Sequence, residues 1–247
     1  MAANWALYHQ LNEAWWREAR SAFHFYRGYH RTYGWYDLGP SDSFYYHLDK
    51  AGHFYSSMLF TSALFSIYRW VGFSEGGAER LAAVMASILM LEIEIYDGFF
   101  KEWGFSLGDF AANELGVLWT IAQRHSTTLR QVQVKASYDP FAPLEEEHWI
   151  KNYGAMTFWV SFPVRSWLPG TARSVWPEWL NVAAGYGTDR LRHGKLELYL
   201  ALDLNPEALI HSETFYAKPL RFLLTYVHLP LPALQIKPSV RFLPYHF

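Results

Sequence analysis

Cysteine is absent from the 247 residues. Its absence excludes disulfides, thiolate metal sites, a cysteine nucleophile and an acylated cysteine within these residues. Excess charge is missing too: 21 Lys and Arg stand against 23 Asp and Glu, and the isoelectric point is near 6.6. Such a balance leaves no electrostatic footprint for nucleic acid. The mean hydropathy of −0.09 disfavours a multi-span transporter. The first residues, MAANWALYHQLNEAWW, lack the unbroken apolar run of a signal peptide, because Asn4, His9, Gln10, Asn12 and Glu13 interrupt it. There is also no phosphate-cradling glycine loop followed by Lys, no G-x-S-x-G elbow, no His-x-x-x-His pair and no dinucleotide fingerprint.

What the chain has is aromatic area. Trp, Tyr and Phe make up 19% of the residues, and such side chains suit interfaces and membrane boundaries as well as cores. The first half has helical periodicity. Trp5, Tyr8, Asn12, Trp15, Trp16 and Ala19 follow three- and four-residue steps, and a turn-rich stretch, RGYHRTYGWYDLGPSDS, comes next. A second helix is expected over about 50–71. The run 54–70 carries one charge, Arg69, and sits at the threshold length for a bilayer span, although a buried core helix fits equally. A third helix is expected over about 78–100, with an apolar stripe of Leu81, Val84, Met85, Ile88, Leu91 and Ile95. Small residues on another stripe lead to Glu94 and Asp97. A fourth begins at Ser106, with Asp109 three residues on in a capping-box pattern.

Beyond about His125 the period changes to two. TFWVSFPV alternates, and KLELYLALDL sets five leucines against Glu197, Tyr199, Ala201 and Asp203. NVAAGYGTD and the terminal ALQIKPSVRFLPYHF are weaker strand candidates, the last an edge or an irregular strand because of its prolines. A short helix is expected to start at Pro219. About four strands cannot close a barrel alone. The fold class expected is therefore α+β: a bundle of about four helices over 1–130, packed with a small antiparallel β-sheet from 131–247 as one compact unit. The bundle is expected to cover the leucine face of the sheet.

Chemistry-bearing residues gather at helix ends. Asp49 and His53 are four apart at the start of the second helix, with Lys50 between them. Glu94 and Asp97 lie near the end of the third, and Asp109 and Asn113 open the fourth. An up-and-down bundle brings these three ends to one level. His53, Glu94, Asp97 and Asp109 are then candidates for acid–base catalysis or for holding a hard divalent cation. The competing reading is a structural polar network of Asp49, Lys50, His53, Glu94, Asp97, Ser106, Asp109 and Asn113. There Asp49 is an N-cap, Asp109 answers Ser106, and Glu94 and Asp97 pair with Lys50, His53 or Arg80. Buried polar groups more often mark satisfied networks than reactive centres.

The same residues carry a resemblance. DKAGHF, EIEIYDGF and EWGFSLGDFAANELG, in that order, resemble the YfiM-like family of predicted lipoproteins, its longer Bacteroidota-type members in particular. More distantly they are similar to the VanZ-like membrane proteins. The matched positions are Asp49, Lys50, His53, Glu94, Asp97, Gly98, Ser106, Asp109 and Asn113. The resemblance implies a bacterial cell-envelope location on the periplasmic side, associated with the outer membrane. It also implies an apolar leader before Met1. It implies no cofactor and no established activity, and this chain departs from it in lacking an anchor cysteine and in adding Glu92. The leading expectation is an accessory or scaffolding envelope protein without catalytic activity, with the membrane or other envelope proteins as partners. The alternative is a membrane-edge hydrolase or transferase acting on lipid-linked or phosphorylated substrates.

Overall fold

The computed structural model describes residues 9, 12–13, 16–17, 19–26, 37, 46–144, 149–189, 195–212, 214 and 216–247. The first expected helix, the turn-rich stretch after it and the charged stretch 145–148 lie mostly or wholly outside the described residues. The chain divides into two compact units, Met1–Ile121 with Leu144–Asn152, and Ala122–Pro143 with Tyr153–Phe247. The class is α+β, as expected: long helices in the first unit and a six-stranded antiparallel sheet in the second.

The first unit is built on α1 (Leu48–Val71), α2 (Glu75–Asp97) and α3 (Leu107–His125). Helix α1 starts after His47 in the left-handed region, with no side-chain cap. Asp49 is therefore not the N-cap. It sits inside the first turn, where its carboxylate accepts from the Lys50 backbone N–H at 2.9 Å and from Lys50 Nζ at 2.8 Å. Gly72, at φ 104°, ends the helix in the left-handed conformation that glycine adopts most easily. Ser74 caps α2 by accepting from Gly77 N–H, and Ser106 Oγ accepts from Asp109 N–H at 2.9 Å at the start of α3.

Small and polar residues face the interior of this unit. Helix α2 buries Ala78, Ala82, Ala86, Met90 and Glu94 at four-residue spacing, and α3 buries Gly108, Ala112, Gly116 and Thr120 in the same rhythm. Such stripes let backbones approach closely. A Cβ on Gly116 would lie 2.2 Å from Ser57 Oγ and 2.3 Å from the Phe54 carbonyl oxygen. Side-chain to backbone bonds tie the contact: Ser57 Oγ donates to Asn113 O at 2.8 Å, and Thr120 Oγ1 to Met58 O at 3.4 Å. The apolar stripe of α2 lies outside, with Val84 55% and Ile88 50% exposed.

In the second unit β1 (Gln133–Tyr138), β2 (Met156–Phe162), β3 (Leu180–Thr188), β4 (Leu196–Leu204), β5 (Leu231–Lys237) and β6 (Arg241–His246) form a meander in sequence order. There are six strands rather than about four, because the C-terminal stretch is a hairpin and Gln133–Tyr138 is a full strand. The proline-bearing β6 is the sheet's edge, as expected. A short helix, α4 (Ala217–Tyr226), begins two residues before Pro219.

Within the second unit the two faces of the sheet differ in burial. One rung runs Val134–Val160–Ala184–Leu200–Leu234–Phe242 across all six strands. Leu200 is 44% exposed, Leu202 36% and Phe242 67%. The adjoining rung, Lys135–Trp159–Gly185–Tyr199–Gln235–Arg241, lies on the opposite face, and its first five members are buried. The leucine face is thus the more exposed one, and the buried face mixes polar groups with a hydrophobic cluster of Trp159, Ala183, Tyr199, Ala201 and Ala233. Several interior polar groups pair with one another, while Gln133 Oε1, His228 Nδ1 and His246 Nε2 have no hydrogen-bond partner among the described residues. Lys135 Nζ lies 2.7 Å from Asp203 Oδ2 and donates to Leu204 O at 2.8 Å, Trp159 Nε1 donates to Ser137 Oγ at 2.8 Å, and Asn181 Nδ2 to Ser161 Oγ at 3.2 Å.

The sheet curls around that inner face. In a flat sheet β2 and β6 would stand about 19 Å apart, yet the rings of Trp159 and His246 are centred 5.8 Å apart. Gly185 makes room for the indole, since a Cβ there would sit 2.5 Å from its ring. The outer edge of β1 is also engaged: Val227 bridges Ala136, His228 N–H donates to Ala136 O at 3.0 Å, and the His228 ring stacks on Trp159 at 4.1 Å.

Substituting Gly116 tests the close helix contact. Gly116→Ala adds helix propensity of about 1 kcal/mol but forces the new methyl onto Ser57 and the backbone of Phe54. A net destabilisation of about 1–3 kcal/mol is expected from overpacking. Chemical denaturation measures it, and unchanged or increased stability would contradict the contact.

Candidate functional site

The three helix ends do meet. At the start of α1, His53 directs Nδ1 to Glu94 Oε1 of α2 at 3.3 Å and to Asn113 Oδ1 of α3 at 3.1 Å. Asn113 Nδ2 closes the triangle by donating to Glu94 Oε1 at 3.1 Å. On its other side, His53 Nε2 lies 3.9 Å from Asp109 Oδ2. Glu94 is almost wholly buried, and the side chains of Lys50, His53 and Asp109 are mostly so. One turn of helix separates His53 from Asp49, which is why both can reach the same cluster.

Lys50 organises a second half of the network. Its ammonium lies 2.8 Å from Asp49 Oδ2, 3.2 Å from Asp109 Oδ1 and 3.2 Å from Asp37 Oδ1. Buried Asp37 also accepts from Ser106 Oγ at 2.6 Å and from Gly108 N–H at 3.0 Å, so it anchors the beginning of α3. Gly108 permits this, because a Cβ there would lie 2.8 Å from Lys50 Cε and 2.9 Å from Asp37 Oδ1. Asp97 takes a different partner: Trp16 Nε1 donates to its Oδ1 at 2.7 Å, while the indole stacks on Tyr96 at 4.8 Å.

The expected members therefore converge, with partners partly reassigned. Glu94 pairs with His53 as anticipated. Lys50 serves Asp37, Asp49 and Asp109 rather than Glu94 or Asp97. The Asp109 carboxylate faces Lys50 and His53, while the Ser106 cap itself stands. Asp37 and Trp16 were missed: one sits in a turn-rich stretch without periodicity, the other in what looked like a generic aromatic stripe. Ser57 was legible in principle, since His53, Ser57 and Thr61 repeat at four-residue spacing and Ser57 and Thr61 are buried.

Burial and charge set the protonation of the cluster. Burial alone lowers the pKa of His53, but the carboxylates of Asp109, Glu94, Asp49 and Asp97 outweigh it and lift the value to about 9. Burial raises Glu94 to about 8, helped by Asp109 and Asp97 against the pull of His53 and Asn113. Asp97 rises to about 6 through burial, against the Trp16 hydrogen bond. Asp49 is raised by burial and by Asp109. Burial works against ionised Asp109 too, yet His53 and Lys50 win and hold its pKa low. Lys50 is kept firmly protonated, as Asp109, Asp49 and Asp37 overcome its desolvation.

His53, Glu94 and Asp109 each offer one donor atom, all within 4.8 Å of one another, which is a spacing able to hold a cation. Asp97 is not among them. These donors are already engaged, however: His53 with Glu94, and Asp109 with Lys50. Hydroxyls near the imidazole are committed as well. Ser57 Oγ donates to Phe54 O and Asn113 O, and Ser106 Oγ to Asp37. Among the described residues, the hydroxyls of Ser57 and Ser106 are thus engaged elsewhere, and the cluster's charged groups are paired with one another.

The comparisons bear on the same stretch. Residues 32–123 match the family described as "Predicted periplasmic lipoprotein (DUF2279)". The match spans α1, α2 and most of α3, and it includes every member of the network from Asp37 to Asn113. No curated protein and no solved structure matches the chain. Among the described residues, no helix is long and apolar enough to cross a membrane.

His53, Glu94 and Asp97 hold protons more tightly in the folded than in the unfolded state. Their contributions to stability are complete below the ordinary values of 6.5, 4.5 and 3.8, and are lost as pH rises through about 9, 8 and 6. Asp109 works oppositely, but only below its ordinary 3.8. Thermal unfolding of the protein is thus expected at higher temperature near pH 5 than near pH 9, with Glu94→Gln flattening the profile between them. A melting temperature that climbs steadily over that range would contradict the assigned protonation.

Proposed function

We propose that the protein is a non-catalytic accessory or scaffolding component of the bacterial cell envelope, on the periplasmic side and associated with the outer membrane. One observation carries the reading: apolar side chains on both α2 and the β-sheet face outward while polar groups are paired inside. Exposed apolar surface of that extent marks contact with lipid or with a partner protein. The match to a predicted periplasmic lipoprotein family supports the location. The order of DKAGHF, EIEIYDGF and the D-x-x-x-N of α3 supports kinship with YfiM-like and VanZ-like proteins. The His53–Glu94–Asn113 triangle acts as a lock that holds three helices in register, and Lys50 with Asp37 holds the start of α3 against α1.

A second reading follows from the spacing of His53, Glu94 and Asp109: a cation, once bound there, would make the junction a metal-assisted hydrolytic centre at the membrane edge. Native isolation separates the two. The accessory role is expected to give a protein that sediments with envelope membranes, requires detergent for release, co-purifies with larger assemblies and holds no stoichiometric metal. A monomer that stays soluble without detergent would overturn it. Stoichiometric zinc, manganese or magnesium that disappears in His53→Ala would favour the second reading.

A further inference from the structure

The connection between β2 and β3, residues 163–179, projects from one end of the sheet. It contains two short helices, Val164–Trp167 and Gly170–Val175, and every residue of its central stretch PGTARSV (169–175) is exposed. Three large apolar side chains stand out from it: Trp167 is 58% exposed, Val175 81% and Trp179 45%. So much apolar area on one short projection marks a contact site.

The projection is braced rather than loose. Arg165 Nη1 donates to Trp176 O at 2.8 Å, and Arg165 Nη2 lies 2.9 Å from Glu178 Oε1. Trp176 Nε1 donates to Leu180 O at 2.6 Å, and the Trp167 ring is centred 5.5 Å from that of Phe162. Just beyond β4, Asn205 N–H donates to Trp179 O at 2.9 Å. Side chains held out on such a scaffold lose little conformational freedom when they meet a surface.

Charge selects the surface. Ser166 Oγ donates to Gln131 Oε1 at 2.9 Å, which lays the short helix Thr127–Gln131 beside the connection. Residues 124–131 and 163–179 hold Arg124, Arg130, Arg165 and Arg173 but a single carboxylate, Glu178, and Arg165 pairs with that one. Arg130 and Arg173 are exposed. The whole chain, by contrast, has a net charge of −2. Guanidinium groups match phosphate oxygens in geometry as well as in charge. Arginines alone would suit an acidic protein. Projecting tryptophans beside them favour a lipid surface, because indole rings settle at the boundary between headgroups and acyl chains.

We infer that the β2–β3 connection is the tip by which the protein rests on an anionic phospholipid surface, with Trp167, Val175 and Trp179 among the headgroups and Arg130 and Arg173 on their phosphates. The inference rests on the membrane location proposed above. It adds the part of the chain that makes the contact and the lipid charge that it selects.

The absence of cysteine makes the test direct, because a single cysteine can be labelled in the full chain without background. Ser174→Cys lies on the projection, and Lys195→Cys lies at the other end of the β3–β4 pair. Each carries a polarity-sensitive fluorophore, with folding checked by circular dichroism. They are mixed with vesicles of phosphatidylglycerol and phosphatidylethanolamine, or of phosphatidylcholine alone. The label at 174 is expected to brighten and shift to the blue on the anionic vesicles, while the label at 195 stays unchanged. Binding to phosphatidylcholine is expected to be several-fold weaker. Val175→Asp, and separately Arg130→Gln with Arg173→Gln, are each expected to weaken flotation with anionic vesicles several-fold. All three positions are exposed, so two independent variants guard against misfolding. Vesicle-bound protein whose label at 174 stays in water would overturn the tip as the contact while leaving membrane association intact. Equal binding to both kinds of vesicle, or undiminished flotation of both variants, would overturn it as well. Protein that floats with neither would sink both this inference and the membrane location beneath it.

Discussion

Pairing of polar groups inside each unit is the constraint on which the rest of the structure depends. In the helical unit, Glu94, His53, Asn113, Asp109, Lys50 and Asp37 satisfy one another where α1, α2 and α3 meet. In the β unit, Lys135 with Asp203 and Trp159 with Ser137 do the same inside the curled sheet. Burying a charge is tolerable only with its partner in place. These groups share the interior with small and aromatic side chains, Trp159, Ala183, Tyr199, Ala201 and Ala233 in the β unit, and the larger aliphatic ones lie outside. Leu200, Leu202, Val84 and Ile88 are exposed, and the stripes of Ala and Gly on α2 and α3 leave room for the network.

The electrostatics of the helical network follow from its surplus of carboxylates over cations. Among the described residues, the acidic side chains Asp37, Asp49, Glu94, Asp97 and Asp109 face the basic groups of Lys50 and His53, with Lys151 acting on Asp97 as well. Protons make up the difference. Glu94 and Asp97 are pushed up, His53 is held charged, and Asp109 stays ionised between the two cations. Each helix end supplies groups that the other two must neutralise, so the register of the bundle is written in charge as well as in packing. Asp37 extends the control to the first turn of α3 through Ser106 and Gly108.

Much of this was legible from residue spacing. Asp49 and His53 at four residues, Glu94 and Asp97 at three, and the Ser106–Asp109 pair placed their side chains on single helix faces. Up-and-down topology then required those faces to meet. The partner assignments were not legible, because Asp37 and Trp16 come from segments whose position no periodicity fixes. The strands were legible as alternation, but a period of two defines only that a sheet has two faces. Which face of β4 buries Tyr199, Ala201 and Asp203 is not set by the alternation itself. An apolar-in assumption would place Leu81, Val84 and Ile88 inside, where small residues sit instead.

The central claim is that polar pairing inside leaves apolar contact surface outside, which we propose meets the membrane. Photolabelling in native envelope membranes with a lipid-borne carbene precursor, mapped residue by residue by mass spectrometry, tests it most directly. The account predicts adducts on Leu200, Leu202, Leu234 and Phe242, and none on Ser161, Asn181, Lys135 or Asp203. Adducts concentrated on the inner face, or an outer face left unlabelled in protein that remains with the membrane, would contradict it.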